Sequence, residues 1–234
     1  MIPSLVFLFP AYRPPPVLLD LVVGTARADS SHSIIVVDDG SGAEFTDLFR
    51  TLETVCNVTV LRHSRNQGKG AALKTGFRYA LDHFPRAVGV TTADADGQHR
   101  LQDILHVGRT LESHPAILVL GVRDFSRKVP FRSRTGNSMS RRLWKRITGQ
   151  SLEDTQTGLR GIPMSVVPAI LSLPSSRYDY ELEVLATLTR LHLEVRPVPI
   201  HTIYPEGNRS SHFRLIEDTL LISKVFLRCR LRRL

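Results

Sequence analysis

Short apolar runs alternate with longer stretches of helical periodicity along most of the chain. The apolar runs are rich in Val, Ile and Leu, which is typical of buried β-strands. Strands are predicted at residues 4–9, 33–37, 57–61, 87–92, 116–120 and 194–200. Helices are predicted at residues 15–28, 43–54, 68–83 and 101–113. The alternation predicts an α/β fold of the nucleotide-binding, Rossmann-like type, with a mainly parallel central sheet flanked by helices.

The pattern loosens after Leu120. Basic segments follow at residues 123–134 and 141–146, and Gly- and Pro-containing turns are predicted around 157–163. We expect one domain over residues 1–212 and a C-terminal amphipathic helix over residues 213–234, which combines apolar side chains with a basic end. Such a helix suits an anionic membrane surface, and an ordinary packing helix with a charged tail explains it equally well.

Composition narrows the function classes. The chain has 234 residues, enough for one α/β domain, and its 31 Lys and Arg against 22 Asp and Glu give a net charge of +9. This charge favours anionic partners: nucleic acid, acidic lipid or phosphorylated ligands. The 2 cysteines lack metal-type spacing, and the N-terminus lacks a basic n-region. No apolar run approaches the roughly 20 residues of a membrane span. We therefore expect a soluble or peripheral protein in a reduced, cytoplasmic compartment.

Two carboxylates follow the strand predicted at 87–92. Because alternate residues leaving a strand point the same way, Asp94 and Asp96 can converge on one cation, and Gln98 offers a third oxygen after a turn at Gly97. Oxygen ligands of this kind suit Mg²⁺ or Mn²⁺. A solvated Asp-Gly turn is the alternative for this motif taken alone.

Two further motifs also follow predicted strands, as the acidic motif at 94–98 does. Asp38 and Asp39 follow a buried strand and can accept hydrogen bonds from a base or ribose, although a capped turn fits the same pattern. The segment 65–76 is rich in Gly and Lys, but it lacks the Walker arrangement because Leu73 precedes Lys74. We expect its Ala and Gly residues to allow close packing of a helix on the sheet, and Asn66 and Lys69 to lie near a ligand.

Five motifs in order carry a family resemblance. They are VDDGS at 37–41, NQGKG at 66–70, DADGQH at 94–99, RSRTGN at 132–137 and DTQTG at 154–158. Together they resemble glycosyltransferase family 2, and more narrowly the dolichyl-phosphate mannose synthase group with its bacterial polyprenyl-phosphate glycosyltransferase relatives. The resemblance covers nearly the whole chain. It implies a GT-A fold, a nucleotide-sugar donor, a divalent metal and inversion at the anomeric carbon.

The resemblance also implies roles for individual residues. Asp94, Asp96 and Gln98 would hold Mg²⁺ or Mn²⁺ on the diphosphate of a UDP- or GDP-hexose. The donor-binding positions would also include Pro10, Tyr12, Asp38, Asp39, Asn66 and Lys69. Arg13 departs from the family pattern, since relatives usually have Asn after the Tyr.

The basic residues would serve the acceptor and the leaving group. Arg123 and Arg134 match the two arginines that bind the acceptor phosphate in relatives, and guanidinium groups suit phosphate oxygens. Arg209 lies in a segment that resembles the family's mobile C-terminal loop, with His212 near it. The resemblance thus places catalytic roles on Asp96, Arg123, Arg134 and Arg209, and a solvated surface charge is the alternative for each arginine.

The acceptor determines whether a general base is needed. A phosphate monoester, with a second pKa of about 6, is already ionised and can attack without losing a proton. Sugar-polymer members of the family place a Glu-Asp pair on a later helix, and residues 178–183 lack it. This favours a polyprenyl phosphate acceptor and a peripheral position at the cytoplasmic face of the membrane. Glu181 and Glu183 remain possible bases for a sugar hydroxyl.

Two other classes of function stay open on the sequence. One is a family 2 enzyme that acts on a sugar hydroxyl in cell-surface polysaccharide synthesis. The other is a non-catalytic basic protein that binds nucleic acid, although the sequence carries no recognition motif and few aromatic residues among the basic ones. We expect no nucleic-acid partner.

Overall fold

The structure is a computed structural model that describes residues 5–123, 144–145, 152, 154–155, 157–201 and 203. Its sheet has seven strands: β1 Val6–Ala11, β2 Ser33–Asp38, β3 Val58–Arg62, β4 Gly89–Thr92, β5 Leu118–Arg123, β6 Arg160–Pro163 and β7 Val195–Ile200. The α-helices are α1 Val17–Ala28, α2 Thr46–Glu53, α3 Lys69–His83, α4 Leu101–Ser113, α5 Val167–Leu171 and α6 Asp179–Arg190. Short 3₁₀ turns precede α2 at Ala43–Phe45 and α5 at Met164–Val166.

The order of the strands creates a crevice at one edge of the sheet. The spatial order is β3-β2-β1-β4-β6-β5-β7, and β1 lies parallel to both β2 and β4. The chain therefore moves outward from β1 to β3 and then returns to the other side of β1. At such a reversal the loops after adjacent parallel strands diverge and leave room for a ligand. The acidic motifs after β2 and β4 both lie at this edge.

Two apolar layers cover the sheet. Along β1 the side chains alternate between them, with Leu8 packed in the layer of α3, α5 and α6, and Phe7 in the layer of α1, α2 and α4. Every residue of β1 is buried. Burial on both faces explains why the strand is continuously apolar rather than alternating with polar residues.

The six predicted strands and the four helices predicted between residues 15 and 113 are confirmed, with ends that shift by a few residues. The prediction was wrong around residues 157–163, where the structure has β6 rather than turns alone. β6 is antiparallel to both β4 and β5. Its sequence, Arg-Gly-Ile-Pro, is short and contains both Gly and Pro, so the local pattern favours a turn. The mainly parallel α/β class is nevertheless confirmed.

Several predictions fall on residues outside the described part of the chain. They include the C-terminal helix at 213–234 and most of the basic segments at 123–134 and 141–146. Among the described residues, no helix combines the length and apolar character needed to cross a membrane.

Candidate active site at the carboxyl edge of the sheet

The loop after β4 carries the two carboxylates of the predicted metal site. It turns at Gly97, whose φ of 77° lies in the left-handed region that favours glycine. A β-carbon at Gly97 would also lie 2.6 Å from Cγ1 of Val17 in α1. The backbone N–H of Gln98 donates to Oδ1 of Asp96 across 3.0 Å, which closes the turn and leaves Asp96 exposed. Asp94, two residues earlier, points into a more enclosed place.

Asp94 is surrounded on several sides. Nζ of Lys69 lies 2.6 Å from its Oδ1, and Nε2 of the buried His99 lies 3.7 Å from its Oδ2. A β-carbon at Gly158 would lie 2.5 Å from both carboxylate oxygens. Gly158 is held there because Thr92 Oγ1 donates to its carbonyl oxygen across 2.8 Å. The segment around Gly158 therefore forms one wall of the site, and a side chain at that point would displace the Asp94 carboxylate.

Lys69 joins Asp94 to the helix α6. Its ammonium also lies 2.8 Å from Oε2 of Glu181, so one cation contacts two carboxylates. Lys69 is the first residue of α3, and Gly68 before it has a φ of 103°. A β-carbon at Gly68 would lie 2.8 Å from the carbonyl oxygen of Ser176. The glycines of this motif thus let the start of α3 approach the segment before α6.

The charges of this cluster support one another. Desolvation raises the pKa of the Asp94 carboxyl, but the Lys69 ammonium and the His99 ring lower it by more, so the net pKa lies well below its usual range. Desolvation lowers the pKa of Lys69, and Asp94 and Glu181 raise it by more. Partial desolvation and the charge of Asp94 raise the pKa of Asp96. Asp94 and Lys69 therefore stay charged at neutral pH.

The donor set fits a divalent cation that shares its ligands with a substrate. Asp94 is ionised, and Asp96 and Gln98 supply further oxygens on the same loop. In the described part of the chain, no three His, Cys, Asp or Glu side chains form a metal-binding group. Mg²⁺ typically takes one or two carboxylates and completes its coordination with water and substrate phosphates. Asp94, Asp96 and Gln98 match this coordination preference.

Asp39 has a different environment from Asp94. It is buried and accepts three hydrogen bonds: from His63 Nδ1 at 2.7 Å and Gln67 N at 2.9 Å to Oδ1, and from Gly68 N at 2.8 Å to Oδ2. Because a carboxylate accepts, His63 donates to it through Nδ1, and its Nε2 lies 2.9 Å from Thr75 Oγ1. Asp39 thus orders the loop that leads to Lys69, a role that the sequence analysis did not foresee.

Asp38 ties together the loops after β1 and β2. Its Oδ1 accepts from the backbone N–H of Ser41 at 2.8 Å, and Ser41 Oγ accepts from the N–H of Arg13 at 2.9 Å. Beside them Tyr12 is 48% exposed, and the Arg13 guanidinium lies 5.5 Å from the centre of the Tyr12 ring. An exposed aromatic ring next to a carboxylate is a suitable place for a nucleobase.

Two other residues predicted to contact the nucleotide-sugar donor, Pro10 and Asn66, lie at the same edge of the sheet. Pro10 is buried within β1, and Asn66 is exposed. The backbone N of Asn66 would lie 2.7 Å from a β-carbon at Gly40, where φ is 72°. The structure therefore brings the loops after β1, β2 and β3 into contact.

Arg123 ends β5 and is held by a buried carboxylate. Its Nε and Nη2 donate to Oδ2 and Oδ1 of Asp154 across 2.6 and 2.9 Å, and Asp154 is fully buried. This two-point contact fixes the plane of the guanidinium. Arg134, Arg209 and His212 lie outside the described residues.

The two possible general bases lie in different places. Glu181 contacts Lys69 at the site, whereas Glu183 is buried and accepts from the backbone N–H of Ser175 at 3.2 Å. The buried Arg160 donates to the carbonyl oxygens of Thr157 and Glu181 across 2.9 and 2.6 Å.

Sequence reasoning gave no role to Arg160, Asp154 or Gly158. The DTQTG motif at 154–158 was the available signal, because it belongs to the ordered set of family motifs. A pattern of residue types does not show which of them faces Asp94.

The comparison with known families decides the class. Residues 7–167, more than half of the chain, match Glycosyl transferase family 2. The chain belongs to glycosyltransferase family 2. The predicted family and the predicted enzyme class are thereby confirmed: this protein is a glycosyltransferase. The non-catalytic nucleic-acid-binding alternative is wrong.

Curated relatives and solved structures agree with this assignment. The UDP-N-acetylglucosamine–dolichyl-phosphate N-acetylglucosaminyltransferase of Methanococcus voltae is 28% identical over 225 residues, 88% of each chain. The dolichyl-phosphate beta-glucosyltransferase of Dictyostelium discoideum is 24% identical over 218 residues, 86% of this chain and 63% of that protein. Glucosyl-3-phosphoglycerate synthase of Mycobacterium tuberculosis, solved with Mn²⁺, UDP and phosphoglyceric acid, aligns with a TM-score of 0.70 at 16% identity, over 97% of this chain and 78% of that one. This last likeness confirms the predicted GT-A type of fold.

Proposed function

We propose that this family 2 glycosyltransferase moves a hexose from a nucleotide sugar to a polyprenyl phosphate, with inversion and with Mg²⁺ or Mn²⁺. The observation that carries the choice of acceptor is that both candidate bases, Glu181 and Glu183, already contact other groups of the protein. Glu181 is ion-paired with Lys69 at 2.8 Å, and Glu183 is buried against Ser175. A sugar hydroxyl needs a base to take its proton, whereas a phosphate monoester does not.

The donor side of the proposal rests on the carboxyl edge of the sheet. Asp94, Asp96 and Gln98 would hold the cation, which supplies charge neutralisation of the departing nucleoside diphosphate. Tyr12 and Asp38 would contact the nucleoside, and Lys69 would contact a phosphate oxygen. The solved structural neighbour contains Mn²⁺ and UDP, which supports a divalent cation and a nucleotide donor.

The acceptor side rests on Arg123. Its guanidinium is oriented by Asp154, and a fixed guanidinium suits a phosphate oxygen. Arg134 and Arg209 would complete the phosphate contacts. Relatives that act on dolichyl phosphate support this choice. The net charge of +9 supports a peripheral position at the cytoplasmic face of an anionic membrane, where the predicted helix at 213–234 would lie.

A single panel of assays tests the proposal. The full chain is incubated with Mn²⁺ or Mg²⁺, with radiolabelled UDP-glucose, UDP-N-acetylglucosamine or GDP-mannose, and with undecaprenyl phosphate, dolichyl phosphate or sugar acceptors. We expect labelled product in the lipid phase, and none with a chelator or with the Asp94→Ala/Asp96→Ala double variant. Transfer to sugar acceptors alone would replace the proposal with the polysaccharide alternative. Retained lipid transfer by the metal-free double variant would contradict the metal's role.

A further inference from the structure

The Asp94 carboxylate contacts a cation that the protein itself supplies. Lys69 Nζ lies 2.6 Å from its Oδ1, and the Lys69 side chain is only 19% exposed. Gly158 lies against both oxygens of the carboxylate, and Nε2 of His99 lies 3.7 Å from Oδ2. A divalent cation bonded to Oδ1 would share that oxygen with an ammonium, and the two like charges would repel.

The ammonium has a second anchor that does not depend on Asp94. Glu181 Oε2 lies 2.8 Å from Nζ, on the helix α6 and outside the acidic loop. The carboxylates of Asp94 and Glu181 both contact this ammonium, and Asp96 lies two residues from Asp94 on the acidic loop. A divalent cation bound to Asp94 and Asp96 therefore leaves Glu181 as a partner for the ammonium, and Lys69 keeps its proton.

We propose that Lys69 is a resident counter-ion of Asp94 that yields its place to the divalent cation and transfers its contact to the donor diphosphate, while Glu181 keeps it in reach. The cation alone must displace an ion pair and gains nothing from the freed ammonium. When the cation binds together with the diphosphate, the displaced ammonium gains the diphosphate as a new anionic partner. The metal therefore binds weakly by itself and strongly with the nucleotide. This inference rests on the proposed donor site.

The experiment measures Mn²⁺ affinity rather than turnover. Free Mn²⁺ is followed by electron paramagnetic resonance on the full chain, with and without UDP, in the wild type and in Lys69→Met. We expect Lys69→Met to bind Mn²⁺ alone about 10-fold more tightly, and UDP to improve that affinity at least about 10-fold less than in the wild type. Lys69→Gln repeats the test with a neutral polar side chain if the Met variant is unstable.

Two controls separate the proposal from a general effect of charge. Lys74→Met removes a positive charge from the same helix, where the ammonium donates to the Leu173 carbonyl and lies 5.1 Å from the centre of the Tyr180 ring. It should change neither affinity by more than about 2-fold. Lys69→Arg keeps the charge and should leave Mn²⁺ binding without UDP as weak as in the wild type.

Two results would overturn the inference. One is a Lys69→Met variant that binds Mn²⁺ alone no more tightly than the wild type. The other is a Lys69→Met variant whose Mn²⁺ affinity rises by the same factor with and without UDP, as expected if the lost charge acts only through long-range electrostatics. Failure of lipid transfer with the expected Mn²⁺ and UDP pattern intact would overturn only the choice of acceptor.

Discussion

Two acidic motifs follow β2 and β4, the parallel strands on either side of β1, at the same edge of the sheet, yet their carboxylates have different partners. Asp39 after β2 accepts hydrogen bonds from two backbone N–H groups and a histidine ring. Asp94 after β4 contacts an ammonium on a flexible side chain. Backbone amides cannot leave without unfolding the loop, whereas an ammonium can move to another anion. We infer that Asp39 is a structural residue and that Asp94 is available to a ligand.

The largest effect should come from Asp94→Ala. We expect transfer to fall about 1,000-fold, because the cation loses its enclosed ligand and with it several kcal/mol of charge stabilisation. The melting temperature should also fall, because Lys69 loses one of its two carboxylate partners, so activity is compared at a temperature where both proteins are folded. Asp47→Ala, at a carboxylate that is 98% exposed on α2, is the matched control and should leave activity unchanged. Activity within about 10-fold of the wild type in Asp94→Ala would remove the distinction between the two motifs.

Asp39→Ala should act on stability first. Three N–H donors would lose their acceptor, and we expect the free energy of unfolding to fall by about 3 kcal/mol in urea titrations. Asp38→Ala loses the hydrogen bond from the backbone N–H of Ser41 and should cost about 1 kcal/mol. Equal losses in the two variants would contradict the structural role assigned to Asp39.

Gly158→Ala tests the wall beside Asp94. Its β-carbon would lie 2.5 Å from both carboxylate oxygens, so the carboxylate must shift. We expect Mn²⁺ affinity in the presence of UDP to fall about 10-fold with the fold intact, as for other changes beside a metal ligand. Gly24→Ala is the control, because its β-carbon would meet only the flexible tip of Leu101. Unchanged affinity would show that Asp94 is not confined by this wall.

The smallest effect concerns pH. The pKa of Asp94 is lowered by folding, so its contribution to stability is present above the ordinary carboxyl pKa of about 4 and is lost as the pH falls toward its lower folded value. The pKa of Lys69 is raised, so its contribution is present below about pH 10 and is lost at higher pH. We expect the difference in unfolding free energy between the wild type and Lys69→Met to be constant from about pH 5 to 9 and to shrink below about pH 4.

Urea titrations at several pH values check this expectation. A difference that changes between about pH 5 and 9 would contradict the assignment of the pair, since neither group titrates there.

Local patterns were sufficient for the strands and for the motifs at their ends. β1, β2 and β4 are short apolar runs, and the acidic loops after β2 and β4 lie at the edge where parallel strands end. β6 was missed because its Arg-Gly-Ile-Pro sequence has no strand pattern of its own. It becomes a strand since β4 and β5 offer hydrogen-bonding partners on both sides.

The partners of the site residues were not predictable from spacing. Arg123 and Asp154 are separated by 31 positions, and Asp39 and Gly68 by 29. Nothing in either local sequence shows that these groups meet. Only the packing of distant loops at one sheet edge brings each charge to its partner.

By itself, the sequence determined the α/β class, the family and the places where carboxylates leave the sheet, because periodicity and ordered motifs are local properties of the chain. The tertiary structure decided how each carboxylate is used. Asp39 accepts hydrogen bonds from two backbone N–H groups. Asp94 instead contacts Lys69, whose ammonium also contacts Glu181 on a helix far along the chain. That difference depends on which distant groups share a partly buried space, where hydrogen bonds and charges are strongest.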